Sequence, residues 1–273
     1  MNVSLTVFQG RAGDHNDLAI PGAKSIALLL SQQLGLEATV VGTPEPALST
    51  HWRTELDVAM PALRAMQGRF QRIFSLELKS VAATSRCGVS LATLPVVAKY
   101  RNDACVVWFD AHADLNTPES STTGFLGGLA LSGPVGLWDS GLGAGLALEN
   151  VVLVGQRDMD PYEIELIHSR RVRCVEPRSN LSTALSRAIA GRPVYVHLDC
   201  DVLNPGIVPT DYAHEGGLSL EDLRVACEVI AQGEVIGIEI AEFQNSWSSN
   251  GIPVSPAPLI EALRPILKMM RSA

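Results

Sequence analysis

The stretch Ala104-Cys105-Val106-Val107-Trp108-Phe109-Asp110-Ala111-His112-Ala113-Asp114-Leu115-Asn116-Thr117-Pro118-Glu119 decides how the rest of the chain is read. Its first six residues are almost continuously apolar, the composition of a strand covered on both faces, and such strands belong to parallel sheets flanked by helices. Polar chemistry begins abruptly at Asp110. In parallel α/β sheets the ligand site lies just beyond the carboxyl ends of the strands. Asp110, His112 and Asp114 stand there at alternate positions, and an extended backbone turns all three to one side.

Working outward, strand-like runs alternate with segments of helical spacing, the signature of an α/β sandwich. The predicted strands are Val3 to Phe8, Ala38 to Val41, Ser80 to Thr84, Ala104 to Phe109, Val151 to Val154, Val172 to Val175, Val194 to Leu198 and Val235 to Ile240. The predicted helices are Ala23 to Leu34, Val58 to Phe74, Ser90 to Tyr100, Pro161 to Ser169, Ser182 to Ala190, Leu220 to Ala231 and Ala257 to Met270. Ser219 with Asp222 three residues on forms a capping-box-like start. Residues 124–145 are rich in glycine and small side chains and read as a long loop around a short helix. The expected fold is therefore a three-layer α/β/α sandwich with a central, mainly parallel eight-stranded sheet, in a single domain spanning 1–273.

Composition narrows the partners. The 273 residues are 47% hydrophobic and 18% charged, enough apolar material for a large core. A net charge of −8 argues against broad binding of nucleic acid or anionic membranes. No run is apolar for long enough to span a bilayer, and the start MNVSLTVFQGRAGDH lacks the pattern of a secretion signal. The expected location is cytoplasmic, the expected partner a small molecule, with a cationic one suited to the negative charge, and the five cysteines are expected to form no disulfides.

A second segment, Val194-Tyr195-Val196-His197-Leu198-Asp199-Cys200-Asp201-Val202-Leu203-Asn204-Pro205, repeats the logic: two carboxylates at period-two spacing leave an apolar strand. One Asp-x-Asp after a strand is commonly a solvated turn or a cap. Two matched clusters, one with a histidine, point instead to a metal centre, because four carboxylates in one cleft need cations. Mixed oxygen and nitrogen ligands suit manganese, with iron, cobalt and zinc as alternatives. Alternation turns Cys200 toward the core, and His197 sits deeper, in a supporting or packing role. His15, His51, His168 and His214 show no partners in the sequence.

At these residues the chain resembles the ureohydrolases, the arginase and agmatinase group, over most of its length. Asp110-Ala111-His112-Ala113-Asp114 matches the family's Asp-Ala-His-x-Asp, and Asp199-Cys200-Asp201-Val202-Leu203-Asn204-Pro205 matches its Asp-x-Asp-x-Leu-Asp-Pro with one Asn for Asp. Gln156-Arg157-Asp158-Met159-Asp160, Gly216-Gly217-Leu218 and Glu239-Ile240-Ala241-Glu242 add support. The resemblance implies a two-manganese centre that splits a guanidino compound. Asp110 and Asp199 would bridge the metals, with Asp114 on the first, and His112 and Asp201 on the second. Glu242 would take the guanidinium-type group, Asn116, Ser121 and Thr123 the substrate carboxylate, and Asp158 and Asp160 the α-amino end. For Asp160 the alternative is a helix cap before Pro161, and for Glu242 a strand-end salt bridge.

Two departures stand out. Where the family has Gly-Gly-Asp-His-Ser, this chain has Thr84-Ser85-Arg86-Cys87-Gly88, so Cys87 takes the place of a metal-binding histidine. Sulfur is a poor match for manganese, and Cys87 is read as a non-ligating thiol beside a weakened first site, a thiolate ligand being the alternative. Where arginases have Ser-Gly-Asn-Leu-His-Gly, this chain has Thr123-Gly124-Phe125-Leu126-Gly127-Gly128, which replaces a proton-relaying histidine with Gly127. Both losses suit a substrate that is neutral and easier to attack than arginine, whose guanidinium stays charged. The branch of the family acting in antibiotic biosynthesis on N-omega-hydroxy-L-arginine, releasing hydroxyurea and L-ornithine, fits. In that reading a metal-bound hydroxide attacks and Asp114 accepts its proton. Arginine or another guanidino acid, or a degenerate scaffold that binds without turnover, are the alternatives.

Overall fold

The computed structural model describes residues 2–170, 172–177 and 180–272. Its centre is one eight-stranded sheet of β1 (Val3–Phe8), β2 (Thr39–Val41), β3 (Lys79–Ala83), β4 (Cys105–Phe109), β5 (Val151–Val154), β6 (Arg173–Val175), β7 (Val194–Asp199) and β8 (Val235–Ala241). The order across the sheet is β2-β1-β3-β8-β7-β4-β5-β6, and every recorded strand pairing is parallel, so the expectation of a mainly parallel sheet tightens to a wholly parallel one. The helices are α1 (Ala19–Leu34), α2 (Trp52–Ser75), α3 (Ser90–Tyr100), α4 (Pro161–Arg170), α5 (Leu181–Ile189), α6 (Leu220–Ile230), α7 (Ala257–Ala262) and α8 (Arg264–Ser272).

Alternate residues of the strands feed two cores. Leu5, Val107 and Val196 pack with α1 and α5 to α8 on one face, while Phe8, Trp108 and Tyr195 pack with α2, α3 and α4 on the other. This is the three-layer arrangement, and it explains why the strands read as unbroken apolar runs.

Three helices differ from the sequence reading by more than a residue, each for an identifiable reason, while several strand and helix ends shift by a single residue. α1 starts at Ala19, four residues early, because Pro21 falls in its first turn, where a missing N–H costs nothing. α2 starts at Trp52 rather than Val58: the His51 side chain accepts from Arg53 N, and Trp52 N donates to Gly124 O at 2.7 Å. The predicted helix Ala257 to Met270 is two helices, α7 and α8, because Pro265 has no N–H with which to continue the ladder. The Ser219–Asp222 capping box forms, with Asp222 N donating to Ser219 Oγ at 3.0 Å and Ser219 N to Asp222 Oδ2 at 2.9 Å. Among the described residues no helix is long and apolar enough to cross a membrane.

The strand order places β3, β8, β7 and β4 side by side at the centre of the sheet. Their carboxyl ends carry Cys87, Glu242, Asp199 with Asp201, and Asp110 with Asp114, respectively. The chain enters that row from four distant segments, and the cleft lies where they meet.

Candidate active site

The two acidic segments are shaped by the same local device. Asp110 Oδ1 accepts from His112 N at 2.7 Å, and Asp199 Oδ1 accepts from Asp201 N at 2.7 Å, an Asx-turn at each strand end. Side-chain alternation along an extended backbone therefore does not produce the convergence: the chain leaves β4 at Phe109, and Asp114 has φ of 52°. Ala111 N donates across to Asp201 Oδ1 at 2.9 Å, which ties the two turns together. Glu242 also lies in the left-handed region, at φ 63°. Both carboxylates sit in conformations that non-glycine residues rarely adopt, and such strain concentrates at functional sites.

Asp110 and Asp199 both approach the Cys87 sulfur. Cys87 Sγ is 3.1 Å from Asp199 Oδ2, and the ligand atoms of Cys87, Asp110 and His197 lie within 4.8 Å of one another. His112 Nδ1 stands between Asp110 Oδ1, at 3.2 Å, and Asp201 Oδ2, at 3.1 Å. Burial and then the Asp201 charge push Asp110 up to about 6. Burial and then Asp110 raise Asp114 well above the ordinary range, and burial and then Asp201 do the same to Asp199. Burial alone would lower His112, but its bonds to Asp110 and Asp201 raise it strongly, and the same partnership lowers Asp201 against the effect of its own burial. Buried oxygen donors with this much unbalanced negative charge, beside one imidazole, are the donor set that a divalent cation fits.

Behind the carboxylates lies a fully buried polar chain. Glu239 accepts from Ser90 Oγ at 2.6 Å, Thr93 Oγ1 at 2.7 Å and Tyr195 Oη at 2.9 Å, and pairs with His197 Nδ1 at 2.8 Å. With the Nδ1 proton held by Glu239, His197 Nε2 is left as an acceptor, 3.2 Å from Cys87 Sγ. Trp108 stacks on the His197 ring at 3.5 Å and donates its indole N–H to Asp110 Oδ2 at 2.9 Å. His197 thus supports rather than lines the cleft. Burial, then Asp199, raise the Cys87 thiol well above its ordinary value, which favours a neutral S–H donating to Asp199 Oδ2.

The cavity in front is lined by Asp114, Asn116, Thr123, Asp158, Asp160 and Glu242 from the sequence reading, together with Cys87, His112, Asp199 and Asp201. Ser121 is placed outside that wall; its Oγ accepts from Gly124 N at 3.0 Å and shapes the turn. Asn116 Nδ2 donates to Asp160 Oδ2 at 2.8 Å, so the Asp160 side chain turns to the cavity loop. The α4 start is held by Asp160 N donating to Glu163 Oε2 at 3.0 Å. Asn204, the one departure in the second motif, still accepts from Gly217 N at 2.9 Å.

The structure adds residues that the sequence reading passed over. Arg86, only 2% exposed, donates to Glu242 Oε2 at 2.8 Å, while Cys87 N donates to Glu242 Oε1 at 2.9 Å. The signal was available: Arg86 stands where the family motif has Asp, a reversal of charge. His15 and His214, without partners in the sequence, have them in space. His15 Nδ1 meets Asp211 at 3.1 Å and its ring packs on Phe125, while His214 Nε2 meets Asp158 at 3.1 Å.

A wholly parallel sheet with acidic turns at its central strand ends is the architecture of ureohydrolases, and the chain belongs to the arginase family, whose model matches residues 87–253. It is a hydrolase of the amidinohydrolase class. Over 263 residues it is 39% identical to an N(omega)-hydroxy-L-arginine amidinohydrolase of Streptomyces lavendulae, a match covering 96% of each chain. The fold is that of the arginase from Bacillus cereus, with a TM-score of 0.80 at 20% identity over 97% of each chain. The proclavaminate amidino hydrolase of Streptomyces clavuligerus is similar at a TM-score of 0.73 and 18% identity, over 100% of this chain and 93% of that one.

Proposed function

We propose that this chain, as one catalytic domain, hydrolyses N-omega-hydroxy-L-arginine to hydroxyurea and L-ornithine with manganese as its metal. The observation that carries the reading is Cys87: a buried, neutral thiol bonded to Asp199 and His197 at the position where the family motif has a metal-binding histidine. The likeness to the Streptomyces lavendulae enzyme supports it. Asp110, His112, Asp114, Asp199 and Asp201 would hold the metal, in a protein that works in the cytoplasm. When bound, two such ions supply an activated water and Lewis acidity at the central carbon of the substrate.

The chain's own groups do the rest. Glu242, held from behind by Arg86 and Cys87 N, presents its carboxylate to the guanidino-type group. Asp114, which lines the cavity beside these residues, would take up a proton from the attacking water and pass it on. Asn116 and Thr123, with Ser121 setting their turn, receive the substrate carboxylate, and Asp158 and Asp160 face its α-amino end. Gly127 supplies no proton relay and Phe125 narrows the cavity, both of which disfavour arginine.

The test is product identification by mass after manganese loading, with each substrate in turn. Hydroxyurea from hydroxyarginine faster than urea from arginine is expected. Urea at an equal or higher rate would reject the specificity, and absence of both products together with failure to retain metal would reject the enzyme reading.

A further inference from the structure

Arg86 is one of the largest fully buried side chains in the molecule, and it lies against the site rather than in the core. Its Nη1 is 2.8 Å from Glu242 Oε2 and 2.6 Å from Asp211 Oδ2, and its Nε is 3.2 Å from Asp14 Oδ1. Asp14 is itself braced by Ala12 N at 2.9 Å, and Asp211 by His15 Nδ1 at 3.1 Å and Asn16 Nδ2 at 2.6 Å. The guanidinium therefore cannot swing away. With Cys87 N on Oε1, both oxygens of Glu242 already accept a hydrogen bond from the protein, and one of those donors is a permanent cation.

From this geometry we infer that Arg86 is a specificity-determining positioning residue: its fixed charge on Glu242 makes the cavity favour an uncharged guanidino-type group over a guanidinium. A cationic substrate must share one carboxylate with a guanidinium that already draws on its charge, and although Asp14 and Asp211 also pair with that guanidinium, the attraction Glu242 has left for a second cation is smaller. A neutral hydroxyguanidine still donates its N–H groups to Glu242 and depends less on that lost attraction. This rests on the hydroxyarginine reading and deepens it, because the selectivity then has a source in the chain besides the missing histidines.

Two measurements test it, beginning with hydroxyurea production by the unaltered protein. If none forms, the functional reading falls and this inference with it; the outcomes below bear on Arg86 alone. First, arginine and its neutral isostere citrulline are compared as competitive inhibitors of hydroxyarginine hydrolysis. Citrulline is expected to bind at least as tightly as arginine, and arginine tighter by about tenfold or more, as an unshielded Glu242 would give, overturns the proposal. Second, the kcat/KM ratio of hydroxyarginine to arginine is measured in Arg86→Lys and in the charge-balanced double variant Arg86→Gln with Asp14→Asn. The lysine variant is expected to keep the ratio within about threefold, and the double variant to lower it by about tenfold or more, chiefly through a smaller KM for arginine. A folded double variant with an unchanged ratio refutes it. Should the double variant not fold, the inhibitor comparison alone decides.

Discussion

Replacing Tyr195 by Phe tests the buried chain that ends at Cys87. The substitution keeps the ring, which lies at the sheet interior, and deletes only the hydroxyl that donates to Glu239 Oε2 at 2.9 Å. Burial would raise the Glu239 carboxyl, but His197, Ser90 and Thr93 bring it below its ordinary value, so the accepting group is an anion. A hydrogen bond to a buried charged group is worth about 1.5–3 kcal/mol, against about 1 kcal/mol for a neutral pair. At about 2–4 °C per kcal/mol for a chain of this size, Tm should fall by about 3–12 °C. The assay is urea unfolding of the wild type, Tyr195→Phe, Glu239→Gln and the double variant. A double-mutant cycle with coupling of about 1.5 kcal/mol or more supports an ionised Glu239 that fixes the His197 proton on Nδ1. Coupling below about 0.5 kcal/mol would show a neutral carboxyl and remove the reason to treat His197 Nε2 as an acceptor facing Cys87.

Trp108→Phe keeps the stacked ring over His197 but removes the N–H donor to Asp110 Oδ2; manganese titration should show affinity about 10–100-fold weaker, and unchanged binding would deny Asp110 a place among the ligands. Asp211 is lowered from 3.8 to about 2, its burial outweighed by His15 and Arg86. Its stabilising contribution is therefore complete above about pH 4 and lost as pH falls toward 2, so Asp211→Asn should flatten the stability–pH curve in that window, and an unaltered slope there contradicts the assignment. Gly155 has φ of 98°, and a Cβ there would lie 2.6 Å from Val202 Cγ2 and 3.2 Å from Asp110 O. Gly155→Ala should cost more than about 1 kcal/mol by chemical denaturation, whereas a cost within about 0.5 kcal/mol would show that the turn beside Asp110 yields freely.

Much of the fold was legible because the strands are covered on both faces. Val3–Phe8 and Val151–Val154 carry no competing pattern, and their bounds agree with the sequence reading to the residue. Helix starts were less legible where tertiary contacts set them: nothing local in Trp52 to Asp57 announces that Gly124 O will anchor the first turn of α2. The acidic motifs do meet at one cleft, but not by the route expected, since Asx-turns and not side-chain alternation aim the carboxylates. Arg86 itself was legible as a charge reversal within the motif and was passed over, whereas Asp211 was missed because its meaning lies in meeting Arg86, 125 positions away, which no local window contains. His15 and His214 were passed over for the same reason, each acquiring its carboxylate only in three dimensions.

The placement of β7 and β8 between β3 and β4 also constrains the order in which the protein can be made. A chain emerging from the ribosome has β2, β1 and β3 on one side and β4, β5 and β6 on the other, with the wedge that joins them still to be synthesised. Long-range parallel pairings of this kind form slowly, and incomplete sheets expose unpaired edges that invite aggregation. Glu242 arrives with the last strand, so the cleft closes only when the sheet does. Assembly of the acidic row is consequently among the last events of folding, because it needs strands that the chain supplies only after the two outer parts of the sheet have been made.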